Sequence, residues 1–220
     1  MTHHPDENYR SLEDEREADD IIEDLCDPKK EWVNTFDTYD AVYHYLQEEP
    51  VLSQFGLVVK ETTDKKTGVK TVVKKRLILD GKRSHTNEAA SSTQRLTLPR
   101  HVDGVADTMR MQRKALKRKA KDVAVDQVVL DYEDAYFMVP NYMWERRFQV
   151  AKWRNKYIVF LRTGQGMRLS SLTWGHISAL VGRLSQSLDP QAMYVLIQLY
   201  TDDPRMVLVG TEAERTMMLC

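Results

Sequence analysis

Two short segments, Val129-Leu130-Asp131-Tyr132-Glu133-Asp134-Ala135-Tyr136-Phe137 and Leu199-Tyr200-Thr201-Asp202-Asp203, each set carboxylates at the end of an apolar run that reads as a buried strand. An unpaired carboxylate is costly to bury. Aspartates gathered at strand ends suit a hard divalent cation, which prefers oxygen ligands on short side chains. Two such ions about 4 Å apart activate an attacking oxygen and stabilise a leaving one in phosphoryl transfer. The candidate ligands are Asp131, Asp202 and Asp203. If their strands adjoin, three carboxylates converge on a small volume, where like charges repel unless a cation intervenes. Taken alone, Asp202-Asp203-Pro204 reads as an ordinary turn, since Asp and Pro are common turn residues.

The surrounding pattern supplies elements to hold these residues. Ala41 to Leu46 reads as helical, limited by Pro50. Phe55 to Lys60 and Thr71 to Leu79 read as the strands of a hairpin with Lys and Arg on its exposed face. A helix starts near Val102, and its basic tail, Arg113 to Lys119, reads equally as helix or as a flexible insertion. Val123 to Leu130 is a valine-rich strand, and Pro140 ends the segment after the first acidic motif. Arg147 to Lys152 and Tyr157 to Leu161 form a second hairpin across Trp153-Arg154-Asn155. A loop, Thr163-Gly164-Gln165-Gly166, leads into an amphipathic helix over Ser171 to Leu188. Trp174, Ile177, Val181, Leu184 and Leu188 recur there at three and four residues, which predicts the core-facing stripe. Met193 to Tyr200 is a strand, Asp202-Asp203-Pro204 its turn, and Met206 to Val209 the return strand. The order predicts an α+β fold, an antiparallel sheet with helices packed on one face.

Charge is segregated although the net charge is −1. Residues 1–31 hold twelve acidic and four basic side chains, which predicts a largely disordered lead-in with a helical turn or two at Ala18 to Leu25. Residues 56–122 hold eighteen Lys or Arg against seven acids, an excess suited to a polyanion or to a solvated surface. Cys26 and Cys220 lack the spacing of a metal knuckle or a disulfide framework. No run approaches the length of a membrane span, and the acidic start is not a secretory signal.

Four segments stand in a telling order. They are Lys75 to Asn87 with Arg76-Leu77-Ile78-Leu79-Asp80, then Val129 to Pro140, then Gln165-Gly166-Met167-Arg168-Leu169-Ser170, and last Tyr200-Thr201-Asp202-Asp203. About seventy residues separate the two acidic motifs. In that order the chain resembles the fingers and palm of a reverse transcriptase of the retroviral or retrotransposon kind, over roughly residues 32–213. The resemblance implies a polymerase palm plus fingers, and dNTP transfer to DNA on an RNA or DNA template. It implies two Mg2+ ions, or Mn2+ in their place, on Asp131, Asp202 and Asp203. It places Tyr136 under the sugar of the incoming nucleotide, where the ring excludes a 2′-hydroxyl. It gives the triphosphate to Arg76 with Lys60 or Lys65 helping, and to Asp134 and Ala135 through nearby backbone. Gln165 and Gly166 would contact nucleotide or template. Lys82, Arg113, Lys114, Lys117, Arg118 and Tyr200 would meet nucleic acid.

The chain departs from the family pattern at three points. Ser171 stands where a proline is usual, Gly81 where an aromatic is common, and Pro204 directly follows the aspartate pair. Residues 32–220 are expected to be fingers and palm without a thumb, as the chain stops seventeen residues after Asp203. The resemblance therefore implies a piece of a longer polyprotein that continues into, or associates with, thumb and ribonuclease H domains. The alternative is an inactive nucleic-acid-binding remnant, and a third reading is an α+β domain for protein contacts. The expected setting is intracellular, in a cytoplasmic particle or the nucleus, with no membrane partner.

Overall fold

The computed structural model describes residues 8–12, 15–63, 68, 70–118 and 122–219. Lys65, Lys119 and Cys220 lie outside the described residues. In chain order the elements are α1 (Glu15–Leu25), β1 (Val33–Phe36), α2 (Tyr39–Leu46), β2 (Leu52–Thr63), β3 (Lys70–Asp80), α3 (Thr86–Ala89), α4 (His101–Arg118) and β4 (Ala124–Val129). Then follow β5 (Val150–Trp153), β6 (Lys156–Phe160), α5 (Ser170–Gln186), β7 (Val195–Tyr200), β8 (Asp203–Gly210) and α6 (Glu212–Met217). The chain divides into two compact units, Met1–Thr93 with Tyr136–Ser170, and Gln94–Ala135 with Ser171–Cys220.

The first unit is built on a five-stranded sheet in the order β1-β6-β5-β2-β3. Its pairs are antiparallel except β2 with β5, which run parallel at Leu52↔Val150 and Ser53↔Ala151. The expected basic hairpin is β2–β3, longer than its apolar content indicated, with Gln54 facing Asp80 and Thr63 facing Lys70. The second expected hairpin is β5–β6, which turns at Arg154 with φ of 51°. Phe55, Leu79, Ala151 and Ile158 centre the core, and α1 packs into it through Ala18, Ile22 and Leu25. The acidic stretch expected to be a disordered lead-in is therefore, over residues 15–25, a packed helix. Three apolar residues at i, i+4 and i+7 make a narrow stripe among acids, and burial of that stripe outweighs the charge density. Trp153 Nε1 donates to Asp19 Oδ1 at 3.0 Å, and Arg154 bonds the same carboxylate. In α2, the Thr38 hydroxyl accepts from Ala41 N at 3.2 Å to cap the first turn.

The second unit is built on a three-stranded antiparallel sheet in the order β4-β8-β7. Helix α4 covers one face, where Met111 meets Val207 and Val209, with Leu196 beside them. Leu199 lies three residues on, and strand alternation puts it on the opposite face, where it packs on Gly182 of α5. Helices therefore lie on both faces of this sheet, not on one as expected, because both of its faces carry apolar residues. Strand β4 is an edge and mostly exposed, not the buried strand its valines suggested.

The orientation of α5 reverses the periodicity argument. Trp174 is buried at 2% exposure, but Ile177, Val181, Leu184 and Leu188 are 37%, 39%, 61% and 86% exposed. Gly175, Ser178 and Gly182 form the buried face instead. A Cβ on Gly182 would stand 2.3 Å from Leu199 Cδ1. The small residues let the sheet approach the helix axis, and that close packing wins over the apolar stripe.

Candidate functional site

The acidic segments meet at one end of the second unit. Strand β4 pairs with β8 from Ala124↔Gly210 to Val129↔Arg205. The ladder then continues past the strand: Leu130 N donates to Pro204 O at 2.9 Å and Tyr132 N donates to Asp202 O at 2.9 Å. These two bonds flank Asp131 and set it across from Asp203 as a non-hydrogen-bonded pair, the kind in which facing side chains come closer. Facing residues of an antiparallel pair lie on the same side of the sheet. Asp131 and Asp203 are exposed and Asp202 is half-buried. None of the three forms an ion pair among the described residues. Nor do the described residues hold three or more His, Cys, Asp or Glu side chains gathered as a metal-ligating group. The backbone thus sets the Asp131 segment beside the Asp202-Asp203 turn, and carboxylate oxygen is the donor type that Mg2+ and Mn2+ take.

The turn differs by one step from the expected one. It consists of Thr201 and Asp202, with Asp203 and Pro204 already in β8 and Tyr200 facing Asp203. Thr201 has φ of 56°, and its carbonyl accepts from Trp174 Nε1 at 3.0 Å. Tyr132 meets the Trp174 ring edge-on at 5.2 Å. Trp174 read in sequence as a core residue. It also holds the turn that carries Asp202, and its indole N–H, a donor that seeks a partner when buried, was the available signal. Pro204 offers its carbonyl to Leu130 but has no N–H to return, so the ladder lacks one bond there. Arg205 does not reach back to the aspartates. It donates to Gln127 Oε1 at 2.8 Å, and to Gly104 O and Thr108 Oγ1 at 3.3 Å each.

The start of β7 is fixed by Asp189, which sequence reasoning passed over. Its carboxylate accepts from Met193 N at 2.7 Å, Tyr194 N at 2.6 Å and Val195 N at 2.9 Å. Burial pushes the Asp189 carboxyl up, but those three N–H groups and the nearby Lys114 outweigh it and hold it below the usual carboxylate value. Two residues expected to meet nucleic acid are engaged here. Lys114 donates to the carbonyls of Gln191 and Ala192, and desolvation with the nearby Arg110 lowers its ammonium pKa. Arg118 pairs with Glu214 at 3.1 Å and lies 4.6 Å over the Tyr194 ring. Arg113 and Lys117 remain exposed on α4, as does Tyr200 in β7. Glu133 and Asp134 are exposed as well, Asp134 with φ of 50°, and Ala135 is buried.

The other expected nucleotide residues belong to the first unit. Arg76 in β3 and Lys60 in β2 are exposed, Lys60 at the bulge before Glu61. Lys82 is exposed, its backbone N–H held by Asp80 Oδ1 at 2.9 Å. Tyr136 is half-buried in a 3-10 turn over Ala135–Met138. The Gln165-Gly166 loop is clipped to the end of β3: Leu79 N donates to Gln165 O at 2.8 Å. Gly166 has φ of 103°, and a Cβ there would stand 2.3 Å from Leu79 O. Asn87 donates to Gly166 O at 3.1 Å and accepts from Arg168 N at 2.6 Å. Among the described residues no helix is long and apolar enough to cross a membrane. No protein-family model matches the chain, and no curated protein matches it.

Proposed function

We propose that this protein carries out template-directed DNA synthesis, with nucleotidyl transfer centred on Asp131, Asp202 and Asp203. The supporting observation is the pair of 2.9 Å ladder bonds that set Asp131 across from Asp203 beside the Thr201–Asp202 turn. Like charges facing each other destabilise a sheet, and neither carboxylate has a cationic partner among the described residues. A divalent cation relieves that repulsion, so these residues would hold Mg2+ or Mn2+. When bound, the ions neutralise charge on the attacking and leaving oxygens.

The chain's own residues would position the rest. Trp174 fixes the turn bearing Asp202 through the Thr201 carbonyl. Arg76 and Lys60 are exposed cations suited to a triphosphate. The resemblance assigns Tyr136 to excluding a 2′-hydroxyl, Asp134 and Ala135 to triphosphate placement, and Gln165 with Gly166 to the nucleotide or template. Arg113 and Lys117 suit a nucleic-acid backbone better than Lys114 and Arg118, which are already engaged. The partners are a primed RNA or DNA template and dNTPs.

The test is primer extension on an RNA template with Mg2+. Wild type extends the primer and Asp202→Asn does not. Equal extension by both proteins removes the carboxylates from the mechanism. Salt-sensitive template binding by wild type with no incorporation supports the inactive remnant instead.

A further inference from the structure

The first unit contains a cavity of about 650 Å3 that the proposed chemistry does not use. It is lined by the edge strand β1, by Tyr45 of α2, by Arg146 and by the segment after β6. Arg146 and Arg162 are among its lining residues, and neither guanidinium has an acidic partner among the described residues. Arg146 donates only to neutral acceptors, to the Tyr45 hydroxyl at 2.6 Å, the Asn141 carbonyl at 3.3 Å and Met143 Sδ at 3.4 Å. Arg162 is half-buried, and its guanidinium has no protein partner among the described residues. Its backbone is held: Arg162 N donates to Trp32 O at 3.3 Å, and Arg162 O accepts from Asn141 Nδ2 at 2.8 Å. Two like charges lining one cavity, one half-buried and unpaired, are an arrangement that an anion stabilises.

The rest of the lining narrows the anion's identity. Guanidinium forks match phosphate oxygens in pairs. Phe36 and Tyr45 line the same cavity as a tilted ring pair 5.1 Å apart, and flat rings accept stacked bases. Asn34 and Thr35 add hydrogen-bonding groups, and Glu31 supplies an acceptor for an amino or hydroxyl group. The volume lies in the range of compact small-molecule sites.

We propose that this cavity binds a nucleotide unit, phosphate on Arg162 and Arg146 and ring against Phe36 and Tyr45. The unit is either a free nucleotide or one link of a single strand. The experiment titrates the full-length protein, without divalent ions, with a fluorescein-labelled short oligouridylate followed by polarisation. UMP serves as competitor, and an iodouridine-substituted strand is used for photo-cross-linking. Arg162→Ala should weaken binding about tenfold or more, the worth of a charge-assisted contact. Its melting temperature should not change, since the side chain has no protein partner among the described residues. Cross-links should fall on Phe36 or Tyr45. Displacement by UMP identifies a free-nucleotide site, and failure of UMP to displace identifies a strand site; either outcome upholds the proposal when the Arg162→Ala loss is present. The readout is the difference between wild type and Arg162→Ala, a residue outside the proposed polymerase site, so the result is independent of the polymerase assignment. Unchanged binding in Arg162→Ala, cross-links confined to other segments, or displacement by oligoglutamate in place of UMP overturns the proposal.

Discussion

Replacing Asp189 by alanine should be among the most destabilising single changes in the second unit. The carboxylate is 6% exposed and accepts three backbone N–H groups, from Met193, Tyr194 and Val195. Removing it orphans all three donors. The Val195 bond is fully buried, and an orphaned donor there costs about 1–3 kcal/mol. The other two bonds are part-buried, where water recovers much of the loss, and each adds about 0.5–1 kcal/mol. The expected total is about 2–5 kcal/mol, with Asp189→Asn near half of that because its single carbonyl oxygen cannot replace both carboxylate oxygens. Urea unfolding at neutral pH, followed by circular dichroism, measures the difference. The pH dependence gives an internal check. The folded carboxyl titrates below its unfolded value, so its contribution is present above the unfolded value near 4 and is lost as pH falls through the folded one. The gap between wild type and Asp189→Ala should stay constant from neutral pH to about 5 and close in stronger acid. A variant within about 0.5 kcal/mol of wild type at neutral pH would refute the reasoning.

Other changes test separate parts of the account. Gly166→Ala forces a Cβ 2.3 Å from Leu79 O at a φ of 103°, and should cost about 2 kcal/mol or more by urea unfolding. Leu184→Glu on the exposed face of α5 should shift stability by less than about 0.5 kcal/mol, whereas Ser178→Leu on its buried face should destabilise by about 1–3 kcal/mol; the reverse order would show that the apolar stripe faces the core. Trp174→Phe keeps an aromatic ring but loses the bond to Thr201 O, and should cost about 1 kcal/mol in urea unfolding. Tyr39 is pushed up to about 12 by burial and then by its bond to Glu49. Its contribution to stability is therefore full below the ordinary tyrosine value and lost as pH rises through about 12. Ultraviolet titration should show a late phenolate that is absent from Tyr39→Phe.

The strand pattern and the two acidic segments were legible because they rest on local signals. The apolar pattern marked β3 and β6 to within a residue at each end, and marked the presence of β2 and β5 but not their limits. Sequence left open whether the strands of Asp131 and Asp202-Asp203 adjoin, and the ladder past Val129 brings the two segments together. What sequence misjudged depends on tertiary competition. The apolar stripe of α5 has the stronger periodic signal, yet Gly182 and Ser178 face inward because Leu199 packs where a Cβ would stand. Helix α1 was obscured by its acids, which dilute the Ala18, Ile22 and Leu25 stripe. Lys114 and Arg118 read as part of a free basic run, and only the fold reveals that the carbonyls of Gln191 and Ala192, and Glu214, engage them. Asp189 precedes Pro190, and nothing local forecasts three N–H donors converging on it.

The central claim is that Asp131, set across from Asp203, helps to hold a divalent cation for nucleotidyl transfer. Titration of the full-length protein with Mn2+, followed by the paramagnetic resonance of the free ion, tests it most directly. The account predicts that wild type takes up Mn2+ and that Asp131→Asn and Asp203→Asn each weaken uptake by about tenfold or more. Equal Mn2+ affinity in wild type and both variants would contradict it.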